Sequence, residues 1–198
     1  MALIADGYLD LPPGKIASVV TSLELRERPA VTAEQPLPDV ELRTVGKPDA
    51  GWYRELYRRV GEEWLWFSRL RMPREELEAV IHDPNVEVYA VSVRGADEGL
   101  LELDFRQADT CELAFFGLTA AARGRGAGRW LMNRAFERVW ARPVSRLWVH
   151  TCTLDHPQAL AFYQRSGFVP VSRQIEIADD PRLLGVLDRQ AAPQIPLI

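Results

Sequence analysis

The stretch CELAFFGLTAAARGRGAGRWLM, from Cys111 to Met132, decides how the rest of the chain is read. Cys111 to Leu118 has the composition of a strand, a short turn follows, and a glycine-punctuated loop then opens a helix. Gly124, Gly126 and Gly128 let the backbone amides from Gly124 to Gly128, that of Ala127 included, approach a ligand closely. The dipole of the helix that follows favours an anion at the same place. Arg123 and Arg125 add fixed positive charge. The loop reads as a cradle for a pyrophosphate.

Two common cradles do not fit. A P-loop ends in Gly-Lys-Ser/Thr, but no lysine follows these glycines, and the only lysines of the chain are Lys15 and Lys47. A dinucleotide fingerprint needs different glycine spacing and an acidic residue at the end of a second strand, whereas Glu137 falls inside the helix. What remains is Arg/Gln-x-x-Gly-x-Gly/Ala, met by Arg123, Gly126 and Gly128. This resembles the coenzyme A loop of the GNAT superfamily of N-acetyltransferases. A second motif lies downstream in the order that family shows. After SRLWVHTC, Ser145 to Cys152, comes HPQALAFYQRSGF, in which Ala159, Tyr163, Gly167 and Phe168 match Asn-x-x-Ala-x-x-x-Tyr-x-x-x-Gly-Phe in register. His156 replaces the usual Asn. Gly167 is a helix C-cap candidate.

The resemblance implies an α/β (α+β) GNAT fold: a mixed, mostly antiparallel central sheet flanked by helices. It also implies acetyl-CoA as cosubstrate. Backbone groups of Phe116, Gly117 and Leu118 are expected to pair with the pantetheine arm at a bulge, which Gly117 suits. His156 and Ala159 belong to the same cofactor site by their place in the motif.

Composition sets the outer limits. A chain of 198 residues, 47% hydrophobic and 26% charged, is ordinary for one soluble domain with extensions. No secretory signal or membrane-length apolar run is evident, and two cysteines suit a reducing cytoplasm. A net charge of -4 argues against nucleic acid as a partner. The histidines and cysteines show no zinc-like spacing, so no metal is expected.

Along the chain, 1–38 form an N-terminal extension holding one strand, Ile16 to Leu25, and a Pro-rich connector. The acetyltransferase domain is expected over 39–178, with a short tail at 179–198. Val40 to Val45, Val86 to Val93, Leu100 to Arg106 and Cys111 to Leu118 read as strands; Trp52 to Arg59 and Arg74 to His82 read as helices. The helix from Gly126 to Ala141 has an apolar side of Ala127, Leu131, Ala135, Phe136 and Val139 and a polar side of Arg129, Asn133 and Glu137. The family's strand near the C-terminus has a poor candidate in Arg182 to Leu187. The N-terminal strand is expected to fill part of that gap or to swap onto a partner in a homodimer.

Transfer to an amine needs a base, a polarised thioester and a proton for the thiolate. Glu112, on the strand entering the loop, has the spacing from Gly126 of the glutamate base found in some relatives; others rely on ordered water. A hairpin turn at Gln107-Ala108-Asp109 puts Asp104 opposite Glu112 and Glu102 beside them, a carboxylate cluster that would raise its members' pKa values and attract a cation. The alternative is a solvated polar face. By resemblance Tyr163 protonates the leaving thiolate. The acceptor region contributes Trp64 and Trp66, with Phe67, Trp52 and Tyr53, as a cation cage or as core; Arg69 and Arg71 are candidates for an acceptor carboxylate. Cys152 reads as a structural thiol and His150 as a strand packing residue.

The leading function is transfer of an acetyl group to a small-molecule or peptide amine by direct attack in a ternary complex. The alternatives are a non-catalytic CoA-binding sensor, and an acyltransferase using a different acyl-CoA with Ala114 and Gly117 lining a longer acyl channel.

Overall fold

The computed structural model describes residues 6–30, 33–124 and 126–198. Strand β1 (Lys15–Leu25) is followed by β2 (Val40–Thr44), helices α1 (Ala50–Gly61), α2 (Ser68–Arg71) and α3 (Arg74–Ile81), and strands β3 (Val86–Val93), β4 (Ala96–Asp104) and β5 (Thr110–Leu118). Helix α4 (Ala127–Val139), strand β6 (Arg146–Cys152), helix α5 (Ala159–Arg165) and strand β7 (Val169–Asp179) complete it. Local chemistry explains several boundaries. Asp49 caps α1 by accepting from the amides of Gly51 and Trp52 at 2.8 and 3.0 Å. Pro73 immediately precedes α3, and Gly167 at φ +101° ends α5, with the Phe168 amide reaching back to the Tyr163 carbonyl at 3.1 Å.

One seven-stranded sheet runs β2-β3-β4-β5-β6-β1-β7, antiparallel except between β5 and β6. The N-terminal strand therefore enters the sheet interior, between β6 and β7. Its alternation is the reason: Leu23, at 0% exposed, packs in the core with Leu147 and Val149 of β6. Arg182 to Leu187 supplies no strand, and β1 fills the slot beside β6 instead. The segment after Asp179 forms no strand. It folds as an ordered cap around a buried Asp180–Arg182 pair (2.7 Å), whose guanidinium also donates to the carbonyls of Ala191, Ala192 and Ile195. Leu187, Ala191 and Ala192 join Ile16 and Leu65 in a small core of their own.

Helices α1 to α3 cover one sheet face, packing Tyr53, Tyr57, Leu77 and Ile81 on Val88, Ala90 and Leu100. Helices α4 and α5 cover the other, where Leu131, Ala135 and Val139 meet Leu101, Leu103 and Leu113. The apolar side of α4 is buried as its periodicity predicts. Asn133 departs from the polar side assigned to it: it is buried, and its amide donates to Glu34 of the connector at 2.6 Å. The same carboxylate takes Arg134, so the connector is tied down on α4. Among the described residues no helix is long and apolar enough to cross a membrane.

Candidate active site

The site arises where β5 and β6 part. They are paired through Thr110/Arg146, Cys111/Leu147 and Glu112/Trp148, and no further. Beyond that point each strand turns a backbone edge toward a cleft of about 540 Å³. The β4–β5 register, in which Leu103 faces Leu113 but Glu102 faces Phe115, leaves Ala114 as the extra residue of a bulge. The bulge is thus at Ala114 and not at Gly117. Gly117 pairs regularly with Leu100, and its lack of a side chain serves packing: a Cβ there would stand 2.4 Å from Cγ1 of Val60 and 3.0 Å from the Trp66 ring.

At one end of the cleft α4 begins. Gly124 (φ +95°) and Gly126 (φ +84°) hold left-handed conformations; among the described residues no atom lies within 4 Å of a Cβ built at either, and no side chain caps the helix at Gly126. Free helix amides at an open loop suit an anion. Arg123, Gly124 and Gly128 line the cleft; Gly126 and Ala127 stand behind them at the helix start. Arg125 lies outside the described residues. The Arg123 guanidinium is paired with Glu63 and stacked over Trp64 at 5.8 Å, and Trp64 in turn meets the His156 ring edge-on at 5.0 Å. Phe116, Leu118, His156 and Ala159 line the same cleft.

Tyr163, from α5, projects into it while 7% exposed, held between the rings of Phe116, Phe162 and Phe168. Its hydroxyl has no hydrogen-bond partner among the described residues. Burial, and after it the Asp155 carboxylate, push its pKa up, so the phenol keeps its proton. Trp66 lines the cleft, packs on Tyr57 and Phe115, and donates its indole N–H to Asp155 at 3.0 Å. It is therefore both core and wall. Burial likewise raises the Cys152 thiol, keeping it in the unreactive thiol form.

The carboxylate cluster expected from the hairpin does not form as a free group. The strands do pair Asp104 with Glu112. Glu102, however, is 0% exposed and locked to Arg69 at 2.5 Å and to the Tyr53 hydroxyl. Asp104 is gripped by Arg106 at 2.6 Å; burial alone would raise its carboxyl, but the Arg106 guanidinium and amide hold it below its usual value. Neither lines the cleft, and each is already neutralised by an arginine. Arg69 is spent on Glu102 and is not free for an acceptor carboxylate. Glu112 does not line the cleft either. It reaches it through His150, whose Nδ1 is 3.4 Å from the Glu112 carboxylate. His150 is half-exposed on the cleft wall, contrary to its reading as a packing residue. Local sequence does not single out Asp155 or Glu176, which line the same cleft; Glu176 comes from β7, across β1, and only the completed sheet brings it there.

The profile of the Acetyltransferase (GNAT) family matches residues 53–168, more than half of the chain and all of the cleft from Trp64 to Tyr163. The chain belongs to the GNAT family of acetyltransferases. Among curated proteins it is similar to mycothiol acetyltransferases of Beutenbergia cavernae (38% identical over 65 residues, 33% of this chain and 22% of that protein) and Jonesia denitrificans (34% over 74 residues, 37% and 23%). The matched segments span under a quarter of the length of those relatives. Among solved structures it resembles a GCN5-related N-acetyltransferase from Sphaerobacter thermophilus (TM-score 0.56, 17% identity, 85% of this chain and 52% of that one). It also resembles an aminoglycoside acetyltransferase from an uncultured soil metagenomic sample (TM-score 0.53, 15% identity, 65% and 87%). At these identities the structural likeness speaks to the fold.

Proposed function

We propose that the protein transfers the acetyl group of acetyl-CoA to a primary amine by direct attack, with both substrates in the cleft together. The observation that carries this reading is the parting of β5 and β6 beside a buried, protonated Tyr163 and in line with an uncapped helix start. The residues present fit the cosubstrate. The edge of β5 from Leu113 onward can pair with the pantetheine arm as an added strand, and the α4 amides can take the pyrophosphate. Acetyl-CoA supplies a thioester; the chain's own groups do the rest.

Arg123 exchanges Glu63 for the pyrophosphate, and His156 with Trp64 closes over the arm. A backbone amide at the Ala114 bulge polarises the thioester carbonyl. Tyr163 donates its phenolic proton to the departing sulfur. The acceptor enters from the face shared by Trp66, Glu112 and His150. Glu112 is the position from which deprotonation of the amine is organised.

Calorimetric titration with acetyl-CoA and, separately, with free CoA tests the cradle, and thiol release in the presence of amines tests the transfer. One-to-one binding with thiol release supports the reading. Binding without release from any amine would favour a CoA-binding sensor, and release with propionyl- or succinyl-CoA but not acetyl-CoA would favour another acyl donor.

A further inference from the structure

We propose that His150 is the general base of this site, that Glu112 is its positioning residue, and that the acceptor arrives as an ammonium ion. The inference rests on the transferase reading above and deepens it. Glu112 and Trp148 form the last pair before β5 and β6 part, so His150, two residues on, stands on the face of β6 beside the mouth of the split. It lines the cleft and is half-exposed, whereas Glu112 does not line it. The Glu112 carboxylate lies 3.4 Å from Nδ1. A carboxylate there holds the neutral ring as the Nδ1–H tautomer and leaves the Nε2 lone pair for the cleft.

Glu112 of β5 is in contact with the ring, and the nearby charges that act on it are also acidic: Asp155 from the turn after β6, which lines the cleft while accepting from Trp66, and Glu176 from β7, which lines it too. From β1 His150 pairs with Ser22, and along its own strand the Trp148 ring lies 6.0 Å away. The Glu112 contact raises the imidazole pKa above its ordinary value; burial opposes this, and the charges of the three carboxylates add to the rise. Such surroundings attract a cation and reject a carboxylate-bearing acceptor. They also favour the imidazole over Glu112 as base. Taking a proton from an ammonium of pKa about 10.4 is uphill by roughly four pK units to an ordinary imidazole and by about six to a carboxylate.

The step balances. Nε2 of His150 takes one proton from R–NH3+, leaving R–NH2 and an imidazolium. The amine nitrogen forms a bond to the acyl carbon, the carbon–sulfur bond breaks, and the sulfur leaves with its electron pair. Tyr163 gives its proton to that sulfur, and the nitrogen's surplus proton restores the phenol. The imidazolium then releases its proton to solvent. The net products are an amide, a thiol and one proton.

The test joins an imidazole titration by NMR to kinetics, using the whole protein with acetyl-CoA and with 1,4-diaminobutane and benzylamine as probe amines. In Glu112→Gln the His150 titration is expected to move to lower pH, with the acid limb of kcat/KM moving with it. An unmoved titration overturns the positioning role. His150→Gln, with His150→Asn as a second variant, is expected to lower kcat/KM by roughly 10²–10³-fold at pH 7. That deficit should shrink toward alkaline pH, where the amine loses its proton to solvent, while acetyl-CoA affinity by calorimetry stays as in the wild type. Were Glu112→Gln the more damaging change and His150→Gln near wild type, Glu112 would be the base and the proposal wrong. A wild-type protein that binds neither acetyl-CoA nor CoA, or binds without releasing thiol to either amine, brings down the transferase reading and this assignment together. A protein that turns over equally well without His150 brings down the assignment alone.

Discussion

Tyr163 occupies a position that joins two demands: a ring buried among Phe116, Phe162 and Phe168, and a hydroxyl at the cleft without a partner among the described residues. Tyr163→Phe keeps the ring contacts and removes the hydroxyl proposed as proton donor. We expect a loss of roughly 10²-fold or more in turnover, with acetyl-CoA affinity nearly unchanged by calorimetry; unchanged turnover would take Tyr163 out of the mechanism. Gly126 and Gly117 separate two uses of glycine. Gly126→Val puts a β-branched side chain at φ +84° in open space, so it should weaken acetyl-CoA binding at least tenfold without unfolding the protein, as followed by calorimetry and circular dichroism. Gly117→Ala drives a methyl into Val60 and Trp66 and should cost about 1–3 kcal/mol in urea unfolding. The motif register made Tyr163 and the loop glycines legible in the sequence. The role of Gly117 was not, because Val60 and Trp66 reach it only once α1 is docked on β5.

Strand β1 is the element whose placement matters most. Its Val20–Leu25 part pairs with β6 and its Lys15–Glu24 part with β7, so among the described residues β7 meets the sheet through it. Leu23→Ala, at a fully buried site, should cost about 2–5 kcal/mol in denaturant unfolding. The loss should reach the cleft, since Val20 pairs with Cys152 and both line it. Helix α2 is four residues long, yet it delivers Arg69 to Glu102 under the sheet. Arg69→Met leaves a buried carboxylate without its counter-ion and is expected to destabilise by about 3–5 kcal/mol; adding Glu102→Gln should recover a large part of that. Failure of the double variant to recover would mean Arg69 acts through packing on Phe115, over whose ring it lies at 5.1 Å. Alternation alone made β1 readable as a strand. Which neighbours it takes is decided by long-range pairing that alternation does not encode.

At the scale of the whole molecule, the Glu112–His150 contact couples folding to pH. Its folded imidazole pKa is raised, so the stabilisation is fully present below the unfolded value, near 6.5, and is lost as pH rises through the folded value. The stability difference between wild type and Glu112→Gln, measured by urea unfolding across that range, should therefore be largest on the acid side and fade above it. A difference that grows with pH would contradict the coupling. Local residue order determined the strands, the helices, the glycine loop and the register of the tyrosine motif, because each depends on neighbours a few residues away. It also carried the family resemblance, since both motifs are contiguous. Only the tertiary structure decided that β1 lies inside the sheet, that the bulge falls at Ala114, that Glu102 and Asp104 are taken by arginines, and that His150 and Glu176 face the cleft. Those outcomes depend on which strands pair, in which register, and on which charges meet first when distant segments are packed together.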